Sequence, residues 1–390
     1  MEKRRVAITH PRLGQGGSEA RALWAIEALT GSYEVTLVTT VEVDFPSLNA
    51  YYGTHLSLGD AAVVRAPLPP LLRGTGRFAA FRGHLFQRFC QSIADRFDLM
   101  ISTYNPVDFG VPGVQFIADF SFDDGIRREL DGTGRGLSRL VYGANPLRKL
   151  YLGLCSAISP AGPERWSDNL TVANSEWSRR IMDERFGVKA RTVYPPVLGE
   201  FPEVGFEERE NGFVCVGRLV PEKRIDVVIE VLRRVRQRGQ DVHLHILGGG
   251  DSVYVKYLQG LQAKNRDWVF LEGWVGGEKK ARMITDHRFG ISGRKDEPFG
   301  IAVAEMVKAG CIVFVPNGGG QVEIVDHASL VFDDDNEAVD KICRVLEDTS
   351  LQNDLTAHLA QGMDRFSVEA FQEGIRQTVS EFFEQRSSAG

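Results

Sequence analysis

Two carboxylates flank an apolar run in "EPFGIAVAE", Glu297 at its start and Glu305 at its end, with seven residues between them. Pro298 and Gly300 mark a loop turning into a helix that begins near Gly300. The first N–H groups of a helix have no partner within it, so the amides of Phe299, Gly300 and Ile301 are available to a ligand. Beside them, Glu297 can accept hydrogen bonds from sugar hydroxyls. Glu305 follows a little over one turn later, where a carboxylate could grip a vicinal diol. A plainer account is that acidic residues at a helix start satisfy the dipole and cap free N–H groups.

A second constellation is "CVGRLVPEK". Arg218 ends a predicted strand and Lys223 opens the next helix, with Pro221 shaping the turn. Two cations at a helix N-terminus suit a diphosphate that must be held and then stabilised as it departs. Solvated surface cations are the ordinary alternative. Near the N-terminus, "HPRLGQGGSEA" places Gly14, Gly16 and Gly17 between a strand and a helix, where the backbone can approach an anionic ligand closely. It is not the dinucleotide fingerprint: Glu19 stands in place of the third glycine, and "TLVTT" ends the second strand without a ribose-binding acid.

These residues need strands to carry them. "RVAIT", "EVTLVTT", "DLMIST", "VQFIAD" and "LTVANS" alternate with amphipathic stretches, and the pattern restarts at "GFVCVGRL", "VHLHILGGG", "WVFLEG", "FGISG", "CIVFVP" and "SLVFDD". Such alternation predicts α/β architecture with parallel sheets covered on both faces. The expected domains are 1–195 and 211–365, joined by a Pro/Gly-rich linker over 196–210, with a helical tail, 366–390, packing back on the first domain. Ligands of parallel sheets collect at strand carboxyl ends, and the candidate residues follow strands.

Composition excludes several classes. The 390 residues are 43% hydrophobic and 25% charged, ordinary globular values, and the net charge of −6 argues against wholesale nucleic-acid binding. No apolar run approaches the roughly 20 residues that span a bilayer, and the start "MEKRRVAITHP" lacks a secretory apolar region, so a cytoplasmic location is expected. Cys90, Cys155, Cys215, Cys311 and Cys343 are odd in number and widely spaced, which predicts reduced core thiols.

Glu297 and Glu305 match the E-x7-E motif of family 4 glycosyltransferases of the GT-B fold, and "GRLVPEK", "ILGGGD" and "GGQVEIV" stand in the order that family shows. The chain resembles that family over nearly its whole length. The resemblance implies two Rossmann-like domains facing across a cleft, and a retaining, metal-independent transfer of a hexose from a nucleoside-diphosphate sugar to a glycan or lipid-linked acceptor, in envelope or surface polysaccharide synthesis. Arg218 and Lys223 would hold the diphosphate and offset the leaving-group charge. Glu297 and the amides after it would position the sugar, and Glu305 would hold the ribose. Gly248, Trp274 and Val275 would lie on the donor side, the last two near the base, with Gly16 and Gly17 facing the diphosphate from the first domain. "VANSEWS" and "VYPPV" look most like enzymes that add mannose from GDP-mannose to lipid-linked oligosaccharides, while UDP-sugars stay open. One departure stands out: where related enzymes often carry a histidine after a "VQY"-like strand, this chain has Ala118 and Asp119. Asp119 could take the acceptor's proton, or it could simply cap a turn. No cofactor is implied.

Other signals carry less. "FDDDN", with Asp333 and Asp335, reads as a solvated turn and helix cap rather than a metal site. His243 and His245 share one strand face, which could suit a metal, but no carboxylate or thiol companion is expected beside them, so no metal is expected. Arg73, Arg77, Arg82 and Arg88 interleave with Phe78, Phe81, Phe86 and Phe89, which suits peripheral contact with an anionic membrane as well as an ordinary amphipathic helix. A second basic region runs from Arg127 to Lys149. A nucleotide-sugar epimerase, a dinucleotide enzyme and a non-catalytic nucleotide-sugar-binding subunit are the competing functions.

Overall fold

A computed structural model describes residues 3–69, 72, 78–131, 146–160 and 162–388. The chain divides into two compact units, one formed by Met1–Pro196 with Val368–Gly390 and the other by Val197–Ser367.

The first unit contains β1 (Arg5–Thr9), β2 (Glu34–Thr39), β3 (Ala61–Arg65), β4 (Leu99–Ser102), β5 (Val114–Ile117), β6 (Leu170–Ala173) and β7 (Ala190–Thr192). They form one parallel sheet in the order β3-β2-β1-β4-β5-β6-β7. The central strands are buried on both faces, which is why they read as continuous apolar runs rather than alternating ones. The edge strands β3 and β7 went unanticipated because "AAVVR" and "ART" are short and partly exposed, with little apolar signal. The helix Val368–Ser388 buries Phe371, Ile375, Val379 and Phe382, a stripe at helical spacing. It packs on the helix Gly17–Leu29, and Arg376 Nε donates to the carbonyl of Ala28 at 3.2 Å.

The second unit contains β8 (Glu210–Val216), β9 (His243–Leu247), β10 (Val269–Gly273), β11 (His287–Ile291), β12 (Ile312–Pro316) and β13 (Val331–Phe332). Their order is β10-β9-β8-β11-β12-β13, again parallel throughout. The expected α/β class with two parallel sheets is therefore the architecture found. The helix Ile225–Gln237 shows how sequence builds it: Ile225, Val228, Ile229, Leu232 and Val235 recur at three and four residues and are all buried. Residues of the Pro/Gly-rich stretch after 196 are tied to this unit, since Val197 N–H donates to Phe366 O at 2.9 Å.

All five cysteines are buried free thiols, in keeping with core thiols. Among the described residues no helix is long and apolar enough to cross a membrane. Of the basic and aromatic stretch, Phe86 enters the core and Phe89 packs against it, while Phe78 stays exposed. Arg73, Arg77 and residues 132–145 of the second basic region lie outside the described residues.

Candidate active site

In each sheet the strand order reverses direction at one place, between β1 and β4 and between β8 and β11. Such switch points open a crevice at the strand carboxyl ends. Arg218 follows β8, while Arg294 and Glu297 follow β11, so they stand at the switch point of the second unit.

After β8 the chain makes a single 3-10 turn, Pro221–Lys223, before the helix starts at Ile225. Lys223 thus precedes the helix instead of opening it, because Arg224, in the left-handed region at φ 50°, separates the two. Lys223 Nζ donates to Glu297 Oε2 at 2.5 Å, and Arg294 Nη1 lies 3.7 Å from the same oxygen. Burial pushes the Glu297 carboxyl up, but the charges of Lys223 and Arg294, the Lys223 hydrogen bond and the field of Arg218 together hold it below the ordinary carboxylate range. Glu297 is therefore an anion inside a cationic pocket. A sugar hydroxyl can donate to it while a phosphate shares the surrounding cations.

The Glu297 loop is held by glycines. Gly319, at φ 78°, lies so close that a Cβ there would meet Glu297 O at 2.2 Å, and Gly320 N–H donates to that carbonyl at 2.8 Å. Buried Gln321 sends Nε2 to Arg294 O at 2.6 Å. "GGQVEIV" was visible as a motif, but that it clamps the Glu297 loop was not. Gly300, at φ 107°, caps the helix Ile301–Lys308. Phe299 turns inward, 3% exposed, with its ring 5.5 Å from that of Phe366, so only its backbone can serve a ligand. On the same helix, Glu305 accepts from Lys280 Nζ at 2.7 and 2.8 Å, a partner on the helix Gly277–Thr285 that nothing in the sequence announced.

Gly248 approaches protein rather than open space. At φ 151°, a Cβ there would lie 1.8 Å from Gly217 O, and one on Gly250 would lie 2.1 Å from Leu219 O. Leu219 N–H donates to Gly249 O at 2.9 Å. The "GGG" run therefore seats the Arg218 loop. Trp274 is 68% exposed and its Cβ lies beside Gly249, with Val275 next to it. "FDDDN" is a helix cap as expected, but through Asp334, whose side chain accepts from the amides of Asn336 and Glu337. Asp333 accepts from Asn317 Nδ2 at 2.7 Å.

The fold gives His243 and His245 neighbours that the sequence hid. His245 Nδ1 lies 2.7 Å from Glu272 Oε1, His243 Nε2 lies 3.2 Å from Glu210 Oε2, and His287 packs against both rings. Strand pairing, not proximity in sequence, brings them together.

In the first unit, Gly16 precedes the helix that Gly17 opens, and its N–H donates to Tyr52 Oη at 2.7 Å, while Tyr52 donates to Gly14 O. A Cβ on Gly16 would lie 2.6 Å from Glu19 Oε2. The Gly16 amide is thus already bonded within the protein, which weakens the expectation that it meets a diphosphate. Asp119 accepts from Asn105 Nδ2 at 3.0 Å and from Ser121 N–H at 2.9 Å, so it does cap a turn. It also faces buried Arg21, whose guanidinium donates to Ile117 O at 3.1 Å and whose pKa burial lowers to about 10. His10, just past β1 and 2% exposed, was overlooked in the sequence because it is a lone histidine in a glycine-rich loop. Burial lowers its pKa to about 4.

Two doubly wound parallel sheets with an interleaved C-terminal helix define a GT-B fold. The same fold is seen in the HepE protein of Anabaena in complex with UDP and glucose, which is 16% identical and superposes with a TM-score of 0.66 over 97% of this chain and 99% of that one. Residues 199–359 match the family described as glycosyl transferases group 1. Among curated relatives it is 29% identical to the putative glycosyltransferase YtcC of Bacillus subtilis, over 48% of this chain and 54% of that protein. It is 28% identical to a GDP-mannose-dependent alpha-(1-6)-phosphatidylinositol monomannoside mannosyltransferase of Mycobacterium tuberculosis, over 40% of each. The chain spans about half or less of the length of these curated relatives.

Proposed function

We propose that this chain transfers a hexosyl group, with retention and without a catalytic metal, from a nucleoside-diphosphate sugar to a glycan or lipid-linked acceptor. The observation that carries the proposal is the Glu297 carboxylate held among Lys223, Arg294 and Arg218 at the switch point. Arg218 and Lys223 bind the diphosphate and offset charge as the sugar–phosphate bond breaks. Glu297 orients the donor sugar, and Glu305, with Lys280 fixing its rotamer, takes the ribose diol. In a front-face displacement the departing phosphate oxygen accepts the acceptor's proton, so no protein base is required. The acceptor is assigned to the first unit, where Asp119 offers a carboxylate. GDP-mannose is supported by the mycobacterial relative's name and a UDP-sugar by the HepE complex. Peripheral contact with an anionic membrane is supported by exposed Phe78, Leu150 and Leu154 beside basic residues.

The test is calorimetric titration with UDP-, GDP-, ADP- and TDP-sugars in metal-free buffer, followed by transfer assays with the donor that binds. Selective binding followed by glycosyl transfer supports the proposal. Binding without turnover on any acceptor favours a sugar-nucleotide-binding subunit, and no binding by folded protein overturns both.

A further inference from the structure

Three imidazoles meet at the opposite edge of the second sheet from Arg218 and Glu297. His243 is the first residue of β9 and His287 the first of β11, so the cluster lies at the amino ends of the strands. One side-chain nitrogen from each of His243, His245 and His287 lies within 4.8 Å of the other two.

The backbone is shaped to allow this. β8 runs between β9 and β11, and its residue opposite His243 is Gly212. A Cβ on Gly212 would lie 2.2 Å from His243 Nε2, so the missing side chain is what lets that ring reach across β8. The register between β8 and β11 also shifts between His287 and Phe289, the kind of irregularity that re-aims a side chain.

The hydrogen bonds around the rings fix their tautomers. His287 Nδ1 is 2.6 Å from Met283 O and His245 Nδ1 is 2.7 Å from Glu272 Oε1. Both partners are acceptors, so both Nδ1 atoms carry the proton and both Nε2 atoms present lone pairs. His287 is 3% exposed, and its Nε2 has no hydrogen-bond partner among the described residues, while His243 Nε2 has the Glu210 carboxylate 3.2 Å away. Buried acceptors without donors are costly, and imidazoles whose far nitrogen is tied to a carboxylate or carbonyl are oriented as metal ligands are.

We propose that His243, His245 and His287 bind one divalent transition-metal ion of the zinc type, with the Glu210 carboxylate completing the site. Imidazole and carboxylate suit zinc at about 2.0–2.1 Å, which sets tetrahedral ligand nitrogens about 3.3 Å apart and requires the rings to close in by up to about 1.5 Å. The ion clips β9 to β11 across β8, at the end of the sheet remote from the donor residues, and its role is structural.

The experiment titrates chelator-treated full-length protein with zinc chloride by calorimetry and by thermal melting. It is repeated on His243→Gln and His245→Gln, whose partly exposed side chains put folding less at risk than His287, with circular dichroism as the check. The expected result is one ion per chain with a Kd of about 1 µM or tighter, a melting temperature raised by zinc in the parent alone, and binding weakened at least about 100-fold in each variant. Glu272→Gln should weaken binding by about 10–100-fold through loss of ring orientation. Cobalt(II) in place of zinc should give visible bands typical of nitrogen ligation. Substoichiometric binding, or zinc binding equal in parent and folded variants, overturns the site. Sugar-nucleotide binding is read in parallel and should not change in any variant, so failure here leaves the proposed function untouched.

Discussion

Lys223 Nζ bonds to Glu297 Oε2 at 2.5 Å, and an ammonium has further hydrogens to offer a phosphate. If one ammonium serves both, a phosphate oxygen and the Glu297 carboxylate lie at most about 5 Å apart, and two unit negative charges at that distance repel by about 3 kcal/mol at an effective dielectric of about 20. The two side chains are 21% and 15% exposed, so solvent screening cuts that figure roughly by half. Glu297→Gln should therefore tighten binding of free UDP or GDP by about tenfold, near 1.4 kcal/mol, while lowering sugar transfer because the carboxylate proposed to orient the sugar is gone. Lys223→Ala should do the reverse to affinity, weakening it by about 10–100-fold through loss of a charge-assisted contact of about 1.5–3 kcal/mol. Calorimetry with the free nucleotides measures the first effect and a transfer assay the second. Unchanged or weaker nucleotide binding in folded Glu297→Gln would refute the shared-ammonium geometry, and full turnover in that variant would remove Glu297 from the sugar's site.

Two further outcomes follow from other parts of the molecule. The folded pKa of His10 lies near 4, below the ordinary 6.5, so the folded state binds fewer protons than the unfolded chain; the stability this residue contributes is whole above about pH 6.5 and is lost as pH falls toward about 4, by about 3 kcal/mol. Urea unfolding across that window should show a steeper acid loss in the parent than in His10→Gln, and equal slopes would contradict a neutral, buried imidazole. Gly248→Ala would press a methyl against Gly217 O at a φ of 151°, so it should destabilise the second unit by at least about 3 kcal/mol and abolish nucleotide binding; a variant with the parent's melting temperature would show that the Arg218 loop does not depend on that contact.

The sequence made the central strands and the carboxylate pair legible because their signals are local. Apolar runs such as "GFVCV" and "CIVFV" announce buried strands, and the spacing of Glu297 and Glu305 needs no tertiary knowledge. What stayed hidden depends on contacts between distant segments. Tyr52 lies 36 residues from the Gly16 amide it receives, and Lys280 reaches Glu305 from another helix. His245 and His287 meet only because β9 and β11 flank β8. The glycines at 248 and 319 were legible as turns, but that the surface they approach is the protein's own backbone is a fact of packing. Lys223 fell one turn short of its helix because Arg224 takes a left-handed conformation, which an arginine in sequence does not advertise.

The return of Val368–Ser388 to the first unit makes the second unit an insertion within the first, and this orders events during synthesis. Phe371, Ile375, Val379 and Phe382 supply part of the first unit's core, so that unit has no finished form until they have been translated. The second unit is continuous in sequence and can close before then. This connectivity favours the reverse of the usual order, in which the N-terminal domain folds first. A nascent chain released early would hold a completed second unit tethered to a first unit with an uncovered apolar helix face.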